Sequence, residues 1–252
     1  MPQIAIIGGT GLTSLNGLKI THKEVVHTPN GEPSAPLIYG ELCGQQVVFL
    51  ARHGAGHTIP PHQINYRANI QALKQCDVKQ IIGVAAVGGI HQFAGPGVVV
   101  IPDQIIDYTW GRANTFFEDR LSAVTHIDFS YPYSSVLRQL LIDSARDANV
   151  SFVDHGVYGA TQGPRLETAA EIQRLERDGC TIVGMTGMPE AALARELGMD
   201  YACCAVVANW AAGKDGGETI SMAEIEHNLL TGMDQVRKVL EQIVPNCIID
   251  AG

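Results

Sequence analysis

No C-x-x-C pair occurs among the six cysteines of this sequence, Cys43, Cys76, Cys180, Cys203, Cys204 and Cys247, so the usual local signature of a zinc site or a dithiol redox centre is missing. A chain of 252 residues needs no disulfide staples, and the thiols are expected to be reduced. Cys203 and Cys204 stand in the apolar run YACCAVVAN, where burial as small hydrophobes explains them better than metal or redox work. Long apolar runs are lacking too: Ile81 to Ile90, IIGVAAVGGI, is interrupted by glycine and falls far short of the roughly 20 residues that a membrane helix requires. Basic charge is scarce, with 17 Lys and Arg against 26 Asp and Glu and a net charge of −9, which argues against nucleic acid or an anionic membrane as the main partner. Any anion site must therefore be local. No basic segment leads into an apolar core at the start of the sequence, so a secretory signal is not expected and a cytoplasmic location is.

What is present is apolar material, 46% against 17% charged, ample for a packed core. Runs rich in Val and Ile at Ile4 to Ile7, Val47 to Ala51, Ile81 to Val87, Val98 to Ile101, Thr181 to Met185 and Tyr201 to Ala208 read as strands. Several show little polar alternation, as strands buried on both faces do. Helical spacing marks Asn65 to Lys74, Ser134 to Ala148, Glu167 to Arg177, Pro189 to Leu197 and Ser221 to Ile243. Pro189 suits a first helical turn and Gly198 the residue after a helix end. The alternation predicts an α/β protein. With no repeat, low-complexity tract or linker, residues 1–252 read as a single domain.

In such a sheet, ligand residues gather where strands give way to loops. Five junctions carry suitable residues: the turn Gly8 to Gly11, Arg52 with His53, Ala85 with Ala86, Met185 with Thr186, and Asn209 to Ala211. The glycine turn by itself admits a dinucleotide fingerprint, a phosphate cradle or a plain corner. A fingerprint needs G-x-G-x-x-G or G-x-G-x-x-A opening a helix, but from Gly9 the text is G-T-G-L-T-S, followed by Asn16 and Gly17. An NAD(P)-binding oxidoreductase is therefore the weaker reading. Free phosphate needs donors converging from several directions, and the Thr10 hydroxyl, the Arg52 guanidinium, His53, the backbone near Ala86 and the Thr186 hydroxyl would supply them. His57 and His62 read as structural histidines.

The order GGTGL, ARHGAGHTIPPHQINYRANI, DQIIDYT, TQGPRLETAAEI and GMTGMPEAALARELG resembles the methylthioadenosine phosphorylase branch of the purine nucleoside phosphorylases, over almost the whole chain. The resemblance implies a phosphorylase/hydrolase-like fold, a central mixed β-sheet flanked by helices, in a homotrimer. It also implies cleavage of a purine nucleoside by inorganic phosphate as co-substrate, with no metal and no organic cofactor. By position Thr10, Arg52, His53, Ala85, Ala86 and Thr186 match the phosphate shell of that family, and Met185 the residue beside the ribose. Ala85 stands where the family carries threonine, which leaves the backbone to make that contact.

Departures from the adenine-specific pattern bear on the base. Glu167 replaces a serine, Asn209-Trp210-Ala211 replaces a pair of aspartates flanking one residue, and Leu166 replaces a stacking phenylalanine. Glu167 and Asn209 instead resemble the pair used by phosphorylases of inosine and guanosine. A 6-oxopurine offers an N1–H donor with O6 and N7 acceptors, which suits a carboxylate and an amide. Adenine would set its N1 lone pair against the carboxylate. Each residue also has a plain reading, Glu167 as a carboxylate at a helix start and Asn209 as a turn or cap residue.

Met222 falls where the methylthio enzymes carry an apolar residue beside the 5′ substituent, although it also suits helix core. His126 matches a residue that reaches over the ribose from a neighbouring subunit; otherwise it is an ordinary loop histidine. The resulting expectation is phosphorolysis of 5′-methylthioinosine, with Glu167 and Asn209 as the catalytic pair. Preference for methylthioadenosine, inosine or guanosine is the alternative within the family, and a nucleoside-binding protein without catalysis lies beyond it.

Overall fold

The computed structural model describes residues 3–12, 14–15, 17–118, 123–216 and 221–247. The strands come in the order β1 (Ile4–Gly8), β2 (Lys19–Glu24), β3 (Leu37–Leu42), β4 (Gln45–Ala51), β5 (Gln80–Gly89), β6 (Val99–Val100), β7 (Gln104–Asp107), β8 (Phe152–Val153), β9 (Val157–Ala160), β10 (Ile182–Gly184) and β11 (Asp200–Trp210). The helices are α1 (Tyr66–Gln75), α2 (Ser135–Asp147), α3 (Ala169–Arg177), α4 (Gly187–Glu196) and α5 (Met222–Ile243). Every strand and helix expected from the sequence is present, Val98–Ile101 shortened to β6.

The helices start where side chains take up their free N–H groups. Asn65 accepts from Ala68, Ser134 from Leu137 and Ser221 from Glu224, and Thr168 forms a capping box with Glu171. Pro189 follows a break in α4, for Met188 is extended (φ −120, ψ 141) before regular helix resumes. Gly198 closes that helix in the left-handed region, at φ 66.

The mixed sheet forks at β5. One edge of β5 pairs with β11 from Gln80 opposite Asp200 to Gly89 opposite Trp210. The other edge pairs first with parallel β1, at Gln80 to Gly83, and then with antiparallel β10, at Gly88 and Gly89. Between these partners Val84 to Val87 face a gap. β4, β3 and β2 continue beyond β1, β9 and β7 beyond β10, and β6 and β8 beyond β11.

Residues of β1 alternate between two cores: Ala5 and Ile7 join Ile70, Leu73 and Ala191 under α1 and α4, whereas Ile4 and Ile6 join Leu141, Val236 and Leu240 under α2 and α5. Both faces being covered, the strand needs no polar alternation. Cys203 and Cys204 belong to one core each, all six cysteines are free, and burial pushes the Cys204 thiol up to about 12.

The described residues between Gly8 and Lys19 form turns and bends, and the next element is β2, antiparallel to β3. Among the described residues of this stretch there is no helix of the kind a dinucleotide fingerprint would open, and the chain leads into an antiparallel strand, which does not fit the oxidoreductase reading. Among the described residues no helix is long and apolar enough to cross a membrane.

Candidate active site

The gap on β5 is the mouth of a cavity of ≈ 320 Å³. At its base lies Arg52, the first residue after β4, 1% exposed. Its Nε donates to Glu190 Oε2 at 2.6 Å, Nη2 to Glu190 Oε1 at 2.7 Å, and Nη1 to the Val84 carbonyl at 2.8 Å. Tyr201 donates to Glu190 Oε1 at 2.8 Å, and Glu190 is fully buried. Burial alone would lower the Arg52 pKa, but the Glu190 carboxylate outweighs it and raises it. The pairing leaves one N–H on each terminal nitrogen of Arg52 for a ligand. Gly9 makes room for this arrangement, since a Cβ there would stand 2.8 Å from Arg52 Nη1.

Around this guanidinium stand Thr10, His53, Ala85, Ala86, Met185 and Thr186, all lining the cavity. Successive peptide groups of a strand point to opposite edges. Because the Val84 carbonyl faces Arg52, the Ala86 N–H faces the same gap. Thr186 immediately precedes α4, and its side chain makes no capping bond. Thr10 Oγ1 also lies 3.4 Å from His57 Nε2, so His57 supports the glycine turn.

His53 departs from the expected role. Its Nδ1 lies 2.8 Å from the Ile59 carbonyl, which can only accept, so that nitrogen carries the proton. Burial first, then the charges of Arg52 and His57, push the ring's pKa down to about 4, against the opposing effect of the Ile59 bond. At neutral pH Nε2 therefore bears a lone pair, and His53 accepts from a ligand hydroxyl rather than donating to an anion.

The far wall carries Leu166, Glu167, Asn209, Ala211 and Met222. The plain reading of Glu167 fails, because α3 begins at Ala169 and its capping acid is Glu171. Glu167 instead precedes the cap, half-buried, with Oε1 accepting from Thr161 Oγ1 at 2.6 Å. Asn209 is not a turn residue but belongs to β11, just past a bulge where the register with β5 shifts between Val207 and Asn209. A bulge re-aims the side chains beyond it, and Asn228 of α5 holds the extra residue by donating to the Ala208 carbonyl at 2.9 Å. Asn209 Nδ2 donates to the Trp210 carbonyl at 2.6 Å. That leaves one amide N–H and the Oδ1 acceptor.

Met222 is not core: it opens α5 and is 65% exposed while touching the cavity. Trp210 is outside the lining, its ring beside Gly95. His126 is exposed, on the segment between β7 and α2, and is also outside it. A larger groove of ≈ 590 Å³ runs between Leu12, Leu15 and α5, and the charged residues on its wall, Arg237 and Asp234, pair with each other. Sequence reasoning missed Glu190 and Thr161. Glu190 stands in the apolar start of α4, where every residue from Gly187 to Ala191 is buried.

A family model described as the phosphorylase superfamily matches residues 3–245. A protein of Pseudomonas syringae pv. tomato named probable S-methyl-5′-thioinosine phosphorylase is 57% identical over 244 residues, covering 97% of this chain and 99% of the relative. The 6-oxopurine nucleoside phosphorylase of Pyrococcus furiosus is 44% identical over 248 residues, 96% of this chain and 92% of its own. Methylthioadenosine phosphorylase from Schistosoma mansoni, solved in complex with adenine, superposes with a TM-score of 0.93 at 32% identity, covering 98% of this chain and 92% of that one.

Proposed function

Because the chain belongs to the phosphorylase superfamily, we propose that it catalyses phosphorolysis of S-methyl-5′-thioinosine, yielding hypoxanthine and 5-methylthioribose 1-phosphate. The observation that carries this reading is the joint placement of Glu167 and Asn209 on the wall of the cavity that Arg52 and Thr186 also line. The base end offers a carboxylate and an amide, the other end convergent donors, and relatives named for a methylthioinosine and for 6-oxopurine nucleosides support the match.

In this reaction a phosphate oxygen forms a bond to the anomeric carbon while the glycosidic bond breaks, through a transition state with oxocarbenium character. The bonding pair leaves with the purine, which gains at N7, by way of solvent, the proton that hydrogenphosphate gives up as it becomes the sugar phosphate dianion. Arg52, Thr10, Thr186 and the Ala86 N–H hold phosphate beneath the sugar, so the nucleophile is close and its charge faces the developing cation. His53 accepts from a protonated phosphate oxygen. The free oxygen of Glu167 accepts N1–H, and Asn209 donates its remaining N–H to O6 or accepts from N7–H through Oδ1. Leu166 and Met222 supply hydrocarbon beside the base and the 5′-methylthio group.

Phosphate is the only co-substrate in this reading, with no metal or organic cofactor, and the partners are small molecules rather than nucleic acid or membrane. We place the enzyme in the cytoplasm, where six free thiols stay reduced. We read the assembly as a homotrimer with His126 reaching a neighbour's ribose. The stretch around it exposes apolar side chains, Val124 and Tyr131 each 75% and Trp110 71%, as an unpaired interface would. Sedimentation velocity tests the assembly.

The functional test is phosphate-dependent release of base from methylthioinosine, methylthioadenosine, inosine and guanosine, compared by kcat/KM. Methylthioinosine is expected to lead. Equal values for methylthioinosine and methylthioadenosine would overturn the base assignment, and binding without turnover at millimolar phosphate would leave a nucleoside-binding protein.

A further inference from the structure

Arg112 lies behind the cavity rather than in it, on the segment between β7 and α2. Its Nη1 donates to the carbonyls of Met185 at 2.8 Å and Met188 at 2.6 Å, and to Tyr66 Oη at 3.2 Å. Its Nη2 donates to the carbonyls of Thr161 at 3.2 Å and Gln162 at 2.9 Å, and Nε to Gln162 Oε1 at 3.3 Å. The Tyr66 ring lies 5.4 Å away across the guanidinium. Among the described residues no carboxylate joins these partners, unlike Arg52, whose charge is met by Glu190.

These contacts brace two loops that leave neighbouring strands and already touch, Thr161 N–H donating to the Gly184 carbonyl at 2.8 Å and Gly163 lying against the Met185 side chain. One runs from β9 to α3 and carries Thr161, whose hydroxyl holds Glu167. The other runs from β10 into the first turn of α4, where Met185 and Met188 bracket Thr186. A planar fork with fixed donor directions sets the separation of the carbonyls it bridges, which a flexible ammonium does not. We infer that Arg112 is a positioning residue that locks the base-reading carboxylate and the phosphate-binding threonine into one geometry, so that base discrimination and phosphate affinity both depend on a side chain that touches neither ligand. The inference rests on the function proposed above. An error of about 1 Å between reacting groups is enough to cost about 10²-fold in rate.

The test compares Arg112→Ala and Arg112→Lys with the wild type in steady-state phosphorolysis. Both variants are expected to lower kcat/KM for methylthioinosine by about 10²-fold, raise KM for phosphate, and shrink the methylthioinosine to methylthioadenosine ratio by about 10-fold. That ratio does not depend on how much of a preparation is folded, so a merely structural residue would leave it and both KM values at wild-type levels. Unchanged ratio and KM values in folded variants overturn the inference while the functional reading stands. Failure of both variants to fold marks Arg112 as a folding anchor and overturns it equally. Absence of phosphorolysis in the wild type removes the functional reading and this inference with it.

Discussion

Arg52 and Glu190 meet through two hydrogen bonds, 2.6 and 2.7 Å long, with 1% and 0% of their side chains exposed. Charge on the guanidinium is thus balanced from behind, and what Arg52 offers a ligand is the direction of its remaining N–H groups. An arginine oriented in this way costs a phosphate little reorganisation.

Removing one member of a buried pair leaves the other charge stranded, at a cost of about 3–5 kcal/mol. Glu190→Ala is expected to lose stability in that range and Glu190→Gln less, since the amide still accepts one hydrogen bond. Urea denaturation measures both. In whatever folded enzyme remains, KM for phosphate should rise more than KM for the nucleoside. Wild-type stability in Glu190→Ala would show that the pair is not buried as described.

The base pocket makes a second prediction. Glu167→Gln exchanges a charged acceptor for a neutral one, and the loss of a hydrogen bond to a charged group, about 1.5–3 kcal/mol, corresponds to roughly 10- to 10²-fold in kcat/KM for methylthioinosine. Glu167→Ser combined with Asn209→Asp should shift preference toward the 6-amino base. The measurement is the ratio of kcat/KM for methylthioadenosine to that for methylthioinosine, and a ratio that does not move counts against both residues as base contacts.

How far such a site could be read in the sequence depended on the range of the contacts. β1, β4, β5 and β11 were legible because both of their faces are covered, which writes apolar runs with little polar alternation into the chain. β2, KITHKE, is exposed along its whole length and carries no such signal, while β8 has two residues and pairs only with β6. Thr10, Arg52 and Thr186 line the cavity just past strand ends, as the sequence suggested, whereas Ala85 and Ala86 lie inside β5 and reach the cavity because the partner strand changes beside them, not because the strand ends. Glu190 and Arg112 were missed because their partners lie far off in sequence, 138 residues from Arg52 to Glu190 and 73 from Arg112 to Met185. The orientation of His53 was missed because it depends on a carbonyl in the loop behind it.

That orientation predicts a pH dependence of stability. The His53 pKa is pushed down to about 4 in the folded protein, mainly by burial, against about 6.5 in the unfolded chain. Between these values the unfolded state binds the proton and the folded state does not, so stability falls as pH drops from 6.5 toward 4 and changes no further through this group below that. His53→Gln should flatten the urea midpoint over this window. Saturating phosphate should shrink the wild-type slope, because an anion beside the ring favours its protonated form. Equal slopes in variant and wild type would assign the dependence to other groups.

The support of Arg52 extends one residue further, to the packing of Tyr201 against β5. A Cβ at Gly83 would stand 2.0 Å from the Tyr201 hydroxyl oxygen and 3.1 Å from Glu190 Oε1, so Gly83→Ala must displace the group that donates to Glu190. Overpacking of this kind costs about 1–3 kcal/mol, and here the lost Tyr201 to Glu190 hydrogen bond adds to it. Tyr201→Phe removes the clashing oxygen along with that bond, which makes the two changes non-additive: the double variant should be more stable than the sum of the single losses implies. A double-mutant cycle in urea measures the coupling. A coupling near zero would mean that the backbone of β5 yields instead of the tyrosine, and phosphate KM would then rise in Gly83→Ala whether or not Tyr201 keeps its hydroxyl.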